Sequence, residues 1–217
     1  MERDIHEYDG EDISVTWDGE RCIHARECVD GLPGVFDPDE HPWIDPDEAD
    51  ADGVAEVITR CPTGALQFER NDGGWEETTP DENTIDVVPD GPLYARGDID
   101  IVDEDDTELL SDTRVAFCRC GASGNKPLCD NTHADIEFEA SGSVGAADDS
   151  DAPPDGQLSV TPTANGPLHV EGSFEIEGTD GTSYRGEDAS LCRCGASGNK
   201  PFCDGSHAEV GFSTDDE

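Results

Sequence analysis

Three cysteines and one histidine recur in the chain at one spacing, C-x-C-x8-C-x3-H: Cys118, Cys120, Cys129 and His133, then Cys192, Cys194, Cys203 and His207. Thiolate and neutral imidazole are ligands for soft and borderline metals, so the chemistry on offer is metal binding. Residues two apart in an extended segment point the same way, which lets both thiolates of each C-x-C face one metal. At the other end Pro201 suits a helix start, and a helix through Cys203 places His207 one turn along on the same face. The GASGNKP stretch between them is turn chemistry, with glycine and asparagine tolerating positive φ. On ligand type alone, a tetrahedral Zn2+ site and an iron–sulfur cluster stand level.

The remaining cysteines, Cys22, Cys28 and Cys61, lie in RCIHAREC and RCPTGAL. The total of nine is odd, which argues against a complete set of disulfides, and in a reducing compartment grouped cysteines bind metal more often than they pair. Nothing in the chain reads as a catalytic triad, a phosphate loop or an acid/base carboxylate pair. The expected class is therefore a metal- or cluster-handling protein and not an enzyme.

The elements that must hold these ligands are duplicated with them. Residues 118–134 and 192–208 are identical at 14 of 17 positions at an offset of 74, and GPLYARGDIDI and GPLHVEGSFEI open the two units. Two copies of one supersecondary unit are expected to pack together. In each copy, alternation such as Ile99 with Ile101, and Phe174 with Ile176, predicts short strands joined by Gly/Asp-rich turns. Near the N-terminus, Ile13, Val15 and Trp17 predict a strand, Asp47 to Arg60 a helix, and Leu66 to Phe68 a closing strand. Two polar stretches cannot build a core and read as acidic linkers. The expected organisation is an N-terminal cluster domain at 8–68, a linker at 69–90, repeat 1 at 91–139, a linker at 140–157 and repeat 2 at 158–213.

The duplicated segment, which in its second copy reads CRCGASGNKPFCDGSH, resembles the CDGSH iron–sulfur family of mitoNEET-type proteins. The resemblance covers both repeats and implies a 2Fe-2S cluster in each, with two cysteines on one iron and a Cys/His pair on the other. It further implies that two repeats in one chain imitate a symmetric dimer, so a monomer is plausible and the oligomeric state stays open. Repeat 1 departs from the pattern at Asn131 and Thr132 but keeps all four ligands. The stretch from Tyr8 to Phe68 resembles a divergent single-cluster ferredoxin family described as 4Fe-4S. There C-x5-C matches the first and third ligands of a ferredoxin run and Cys61-Pro62 the last. The second ligand would fall at Ala25, which leaves a 3Fe-4S cluster, or a 4Fe-4S cluster with one more ligand, His24 being nearest. The fold class expected from this is α+β: a small ferredoxin-like α/β domain followed by two pseudo-symmetric β-rich CDGSH units.

Side chains near the ligands have bland and functional readings. Lys126 and Lys200 are the two lysines of the chain and sit beside the ligands, which favours a role in tuning cluster charge. Ser123 and Ser197 are candidates to donate to cluster sulfur, whereas Asp130 and Asp204 suit local backbone capping. Trp17, Trp43, Phe36 and Phe68 read as a small core around the N-terminal cluster, and His6, His41 and His169 as surface residues. A histidine ligand in place of a thiolate raises the reduction potential of a cluster and adds a protonatable group. Electron transfer with redox partner proteins is the leading expectation. Donation of clusters to apo-protein acceptors, or redox and iron sensing, is the alternative, and a zinc-bound structural module is a second.

Composition restricts partners and conditions. Twelve Lys plus Arg against 54 Asp plus Glu give a formal net charge of −42, a field that opposes nucleic acid and anionic membranes. The N-terminus MERDIHEYDG has neither a basic start nor an apolar stretch, and no run approaches about 20 apolar residues, so a cytoplasmic location is expected. The acidic residues are spread along the whole chain, as in the proteome of an extreme halophile. At molar salt the Debye length falls to about 3 Å and self-repulsion is screened. Melting is accordingly expected at a lower temperature in dilute buffer than in multimolar KCl; equal melting temperatures in the two would remove salt adaptation as the reason for the charge.

Overall fold

Ile85, Val87, Ile99, Ile101, Leu158, Val160, Phe174 and Ile176 alternate with polar residues and are almost fully buried, and this period-2 pattern organises the larger part of the protein as sheet. The computed structural model describes residues 3–145 and 150–214. The chain divides into two compact units, Glu2–Thr78 and Thr79–Glu217. It is mostly β, with few and short helices.

The N-terminal unit is a three-stranded antiparallel sheet in the order β1-β2-β3, from β1 (Ile5–Tyr8), β2 (Ile13–Asp18) and β3 (Leu66–Arg70). Between β2 and β3 run α1 (Glu27–Gly31) and α2 (Ala51–Ile58). The predicted helix over Asp47 to Arg60 is shorter in the structure because Asp50 caps it, its carboxylate accepting from Gly53 N, while Pro46–Glu48 forms a separate 3-10 turn. Val54, Ala55, Val57 and Ile58 of α2 pack with Ile13, Val15, Phe36 and Ile44 in one core, against which Trp17, Trp43 and Phe68 are partly buried. Strand β1, which pairs with β2 from Ile5 onward, begins three residues before the expected start at residue 8.

The second unit has one six-stranded sheet made by both repeats, from β4 (Thr84–Val87), β5 (Leu93–Val102), β6 (Glu108–Phe117), β7 (Gln157–Pro162), β8 (Leu168–Gly178) and β9 (Ser183–Leu191). Its topology is an exchange. Strand β5 pairs along one edge with β6, and along the other with β4 at residues 93–96 and β7 at residues 98–101. Strand β8 repeats this with β9 on one edge and β7 then β4 on the other. Each leading strand is antiparallel to the long strand of its own repeat and parallel to that of the other, and both repeats line a single core. Two four-residue helices, α3 (Thr132–Asp135) and α4 (Ser206–Glu209), complete the unit.

Several expected boundaries change. The stretch 69–90, read as a linker, contains β4, a strand inside the shared sheet. Of the stretch 140–157, residues 146–149 lie outside the described residues, and the flanks are tied down: Ala140 O accepts from Asp90 N, Gly142 O from Thr179 N and Pro154 O from Asn83 N. Their small, polar composition conceals this because the bonds are made by backbone. No helix passes through Cys203: Pro201 sits in a turn, and α4 begins at Ser206.

Asn83 holds the crossing of the repeats. Only 1% exposed, it donates from Nδ2 to the carbonyls of Gly156 and Ser173 and accepts at Oδ1 from Asp98 N. Asn83→Ala leaves three part-buried backbone groups without these partners; a fully buried group left unpaired costs about 1–3 kcal/mol, and access to water lowers that for each of them. The expected loss is about 2–4 kcal/mol, read as a lower urea midpoint at fixed salt; a change under about 1 kcal/mol would place the stability of the crossing elsewhere.

Candidate metal centres

Each repeat delivers its C-x-C at the end of its last long strand. Cys118 follows β6 and Cys192 follows β9, and the chain then turns back so that Phe117 bridges Leu128 and Leu191 bridges Phe202. Backbone bonds lock the return: Cys118 N donates to Pro127 O and Cys129 N to Ala116 O, with Cys192 to Pro201 and Cys203 to Ser190 in the second repeat. The residue before each short helix has positive φ, Asn131 at 75° and Gly205 at 91°. Asparagine is among the few side chains that tolerate this region, which explains why CDNTH can stand where the second repeat has CDGSH.

The ligand atoms fall into pairs. Cys118 and Cys120 have their Sγ atoms 3.8 Å apart, and Cys129 Sγ is 3.4 Å from His133 Nδ1. The corresponding distances for Cys192/Cys194 and Cys203/His207 are 3.7 and 3.3 Å. Two thiolates about 2.3 Å from one tetrahedral metal lie about 3.8 Å apart, and a thiolate and an imidazole about 3.5 Å apart. Each pair therefore has the spacing of ligands on a single centre. Among the described residues, however, no three of the four atoms in either repeat lie within 4.8 Å of one another, so the four do not converge on one ion.

The surroundings suit bound cations. Burial pushes the Cys129 thiol up to about 12; the hydrogen bond shared with Cys120, and burial after it, raise that of Cys118, while the same bond brings Cys120 down to about 7. Such buried thiols become thiolates when a metal takes the place of the proton. Burial also lowers the His133 pKa, favouring the neutral ring that a metal needs. Backbone N–H groups approach the sulfurs at 3.5 Å: Asn131 to Cys129, Gly205 to Cys203 and Ala196 to Cys194.

Sequence reasoning missed the residue inside each C-x-C. Arg119 and Arg193 are 1% and 2% exposed. Arg119 donates to the carbonyls of Gly91, Ser141 and Val88 and lies over Phe138, and Arg193 donates to those of Gly166 and Thr163 and lies over Phe212. The shared GPL openings and the aromatic residue after each helix were the available signal: they form the socket for this arginine. Ser123 and Ser197 are placed differently from expectation. Their hydroxyls donate to Leu128 O and Phe202 O and accept from the N–H of residues 125 and 199, so they brace the loop and do not serve cluster sulfur. Asp130 and Asp204 cap backbone, accepting from Gly124 and Thr132, and from Gly198 and Ser206. Lys200 donates to Ser197 O, which ties it to the loop.

In the N-terminal unit Cys22, Cys28 and Cys61 line one cavity of about 540 Å3 together with His24, His41, Trp17 and Trp43. Cys28 rides on α1, Cys22 follows a 3-10 turn and Cys61 follows α2. Arg21, itself buried, donates to Thr63 O and so ties the Cys22 loop to the Cys61 loop. Burial raises the Cys28 thiol to about 11, with smaller contributions from Cys61 and Cys22. His24, at φ 56°, brings Nδ1 to 3.9 Å from Cys22 Sγ. The buried indole N–H of Trp17 has no acceptor among the described residues, and a sulfide-rich group in the cavity would offer one. His41 lines the same cavity, a role its expected surface placement did not include.

Comparison with known proteins gives these centres a family context. Residues 8–71 match the family described as divergent 4Fe-4S mono-cluster, and residues 90–134 and 165–208 match the family described as iron-binding zinc finger, CDGSH type. Sixty-one residues, 28% of this chain, are 43% identical to 80% of an uncharacterized protein, YjdI, of Escherichia coli K12, and equally to its counterpart in the O157:H7 strain. The chain belongs to the iron–sulfur cluster-binding proteins of these families, joining a divergent 4Fe-4S mono-cluster domain to two CDGSH iron-binding domains.

Proposed function

We propose that this protein carries electrons through two 2Fe-2S clusters, one on Cys118, Cys120, Cys129 and His133 and one on Cys192, Cys194, Cys203 and His207. A third, ferredoxin-like centre of 3Fe-4S or 4Fe-4S type sits on Cys22, Cys28 and Cys61. The observation that carries this reading is the two-pair arrangement of each repeat: pairs at single-centre spacing, held too far apart to surround one zinc ion. When bound, such clusters supply one-electron redox chemistry.

The chain's own contribution is to hold and bias these sites. Cysteine loops bound on both sides by backbone ladder keep ligand positions fixed between oxidation states, and the peptide N–H groups at the sulfurs stabilise negative charge there. Arg119 and Arg193 add a buried positive charge beside each thiolate group. Among the described residues the hydrogen bonds of Arg119 go to carbonyls, so its charge is not consumed by a hydrogen-bonded carboxylate. No side-chain arrangement in the three centres calls for an organic substrate. The role is that of a carrier serving redox partner proteins in a reducing, salt-rich cytoplasm, in keeping with nine free cysteines and with the lack, among the described residues, of a helix long and apolar enough to cross a membrane.

Two measurements test this. Protein purified without oxygen is expected to contain seven or eight irons, matching acid-labile sulfide and no zinc, and reducing one cluster type is expected to lead to reduction of the other. Zinc in place of iron defeats the cluster assignment, and rapid passage of iron and sulfide to an apo-ferredoxin would favour cluster donation over electron transfer. Second, Arg119→Gln is expected to lower the potential of the CDGSH centres. A unit charge about 10 Å from a redox centre shifts it by on the order of 70 mV at an effective dielectric constant of about 20. Arg119→Lys, which keeps the charge, is expected to restore most of the shift; equal potentials in all three forms would reduce the arginine to a loop staple.

A further inference from the structure

On the outward face of the second repeat, β8 and β9 bring one imidazole and two carboxylates together. His169 and Glu171 are two residues apart on β8 and share a face, and Asp188 on β9 lies directly opposite Glu171. His169 Nε2 is 3.4 Å from Asp188 Oδ2 and 3.9 Å from Glu171 Oε1, and one ligand atom from each of the three lies within 4.8 Å of the others. Donors about 2.0–2.1 Å from one tetrahedral metal lie about 3.4 Å apart, so small side-chain rotations bring all three to coordination distance. The side chains are 35%, 62% and 67% exposed for His169, Glu171 and Asp188, which leaves room for water in further positions.

Two observations separate this cluster from the general acidity of the surface. Like charges directly opposite each other on paired strands destabilise a sheet, and among the described residues neither carboxylate has an arginine or lysine partner; each has only His169. The repeat itself does not require these residues, because the equivalent positions of repeat 1 are Tyr94, Arg96 and Arg114, in the same register. We propose that His169, Glu171 and Asp188 form a surface site for a divalent transition-metal ion of the zinc class, separate from the cysteine centres. One imidazole and two carboxylates make a borderline donor set: Mg2+ and Ca2+ gain little from the nitrogen, whereas Zn2+ uses all three donors. The ladder on both strands fixes the donors before the ion arrives.

Calorimetric titration of the full-length protein as purified with Zn2+, in multimolar KCl to screen diffuse attraction to the acidic surface, tests the site. Visible absorption is followed in parallel to ensure that the cysteine centres are undisturbed. One saturable equivalent is expected, weakened at least tenfold by His169→Ala and by Asp188→Asn, but less than twofold by Glu187→Gln, which removes the same charge from the neighbouring position. The proposal is overturned if no saturable equivalent appears, if His169→Ala leaves the affinity unchanged, or if Glu187→Gln weakens binding as much as Asp188→Asn. His169 would then be only the cationic partner of two carboxylates.

Discussion

The two CDGSH centres share a wall, and the architecture of the larger unit follows from it. Cys120 and Cys194 pair with each other as an isolated antiparallel bridge, so ligand loops from the two repeats touch through backbone. The residues that follow, Gly121 and Gly195, have φ of 84° and 80°. A Cβ on either would stand 2.6 or 2.5 Å from the carbonyl oxygen of the opposite cysteine, so no other residue fits both the conformation and the approach. Two loops in such contact cannot adjust separately. The exchange of β4 and β7 serves the same end, because it fastens each repeat to the long strand of the other and leaves neither half a sheet of its own.

Charge is arranged around that contact with an economy that the bare total hides. A chain carrying 54 acidic and 12 basic residues has few cations to place, and two of them are buried inside the C-x-C segments. Burial lowers the pKa of Arg119, while the thiols of Cys192, Cys120 and the carboxylate of Asp90 act in the opposite direction. The guanidinium thus feels sulfur from both repeats, which places it electrostatically between the two centres. Burying a charge is costly unless it is well hydrogen-bonded; three carbonyls and an aromatic face meet that need for Arg119. A lysine could not reach three acceptors in a planar fork, which accounts for arginine here and for the lysines lying on the loop outside.

The ligands were legible in the sequence because a metal site demands fixed residue types at fixed spacings, and the duplication displayed that demand twice. The strands over Ile99–Ile101, Phe174–Ile176 and Ile13–Trp17 were legible for the same kind of reason, since one buried face imposes alternation. What stayed hidden was carried by backbone or by context. Strand β4 is four residues long inside a stretch rich in Asp, Glu and Pro, and its partners lie as far away as Ile176, so local composition reads as linker. Pro201 carries a helix-start preference that the closing turn overrides. Ser123 and Ser197 stand beside sulfur in sequence, yet the nearer buried acceptor is a loop carbonyl. Arg119 and Arg193 looked like any residue between two cysteines until the GPL turns and the following phenylalanines were seen to enclose them.

Joining both repeats in one chain also removes the constraint that symmetry imposes. In a homodimer every substitution appears twice, so a residue useful on one side must be tolerable on the other. Here Asn83 stands where the register places Leu158 in the other half, and only the asparagine spans the crossing with side-chain hydrogen bonds. Tyr94 and Arg96 likewise answer to His169 and Glu171 on the outward face, while the residue that answers to Asp188 is the buried Arg114. The ligand loops remain nearly identical because the Cys120–Cys194 contact binds each to the geometry of its twin, while surfaces away from it are free to diverge. Divergence that follows distance from one contact is what a shared wall between two metal sites requires.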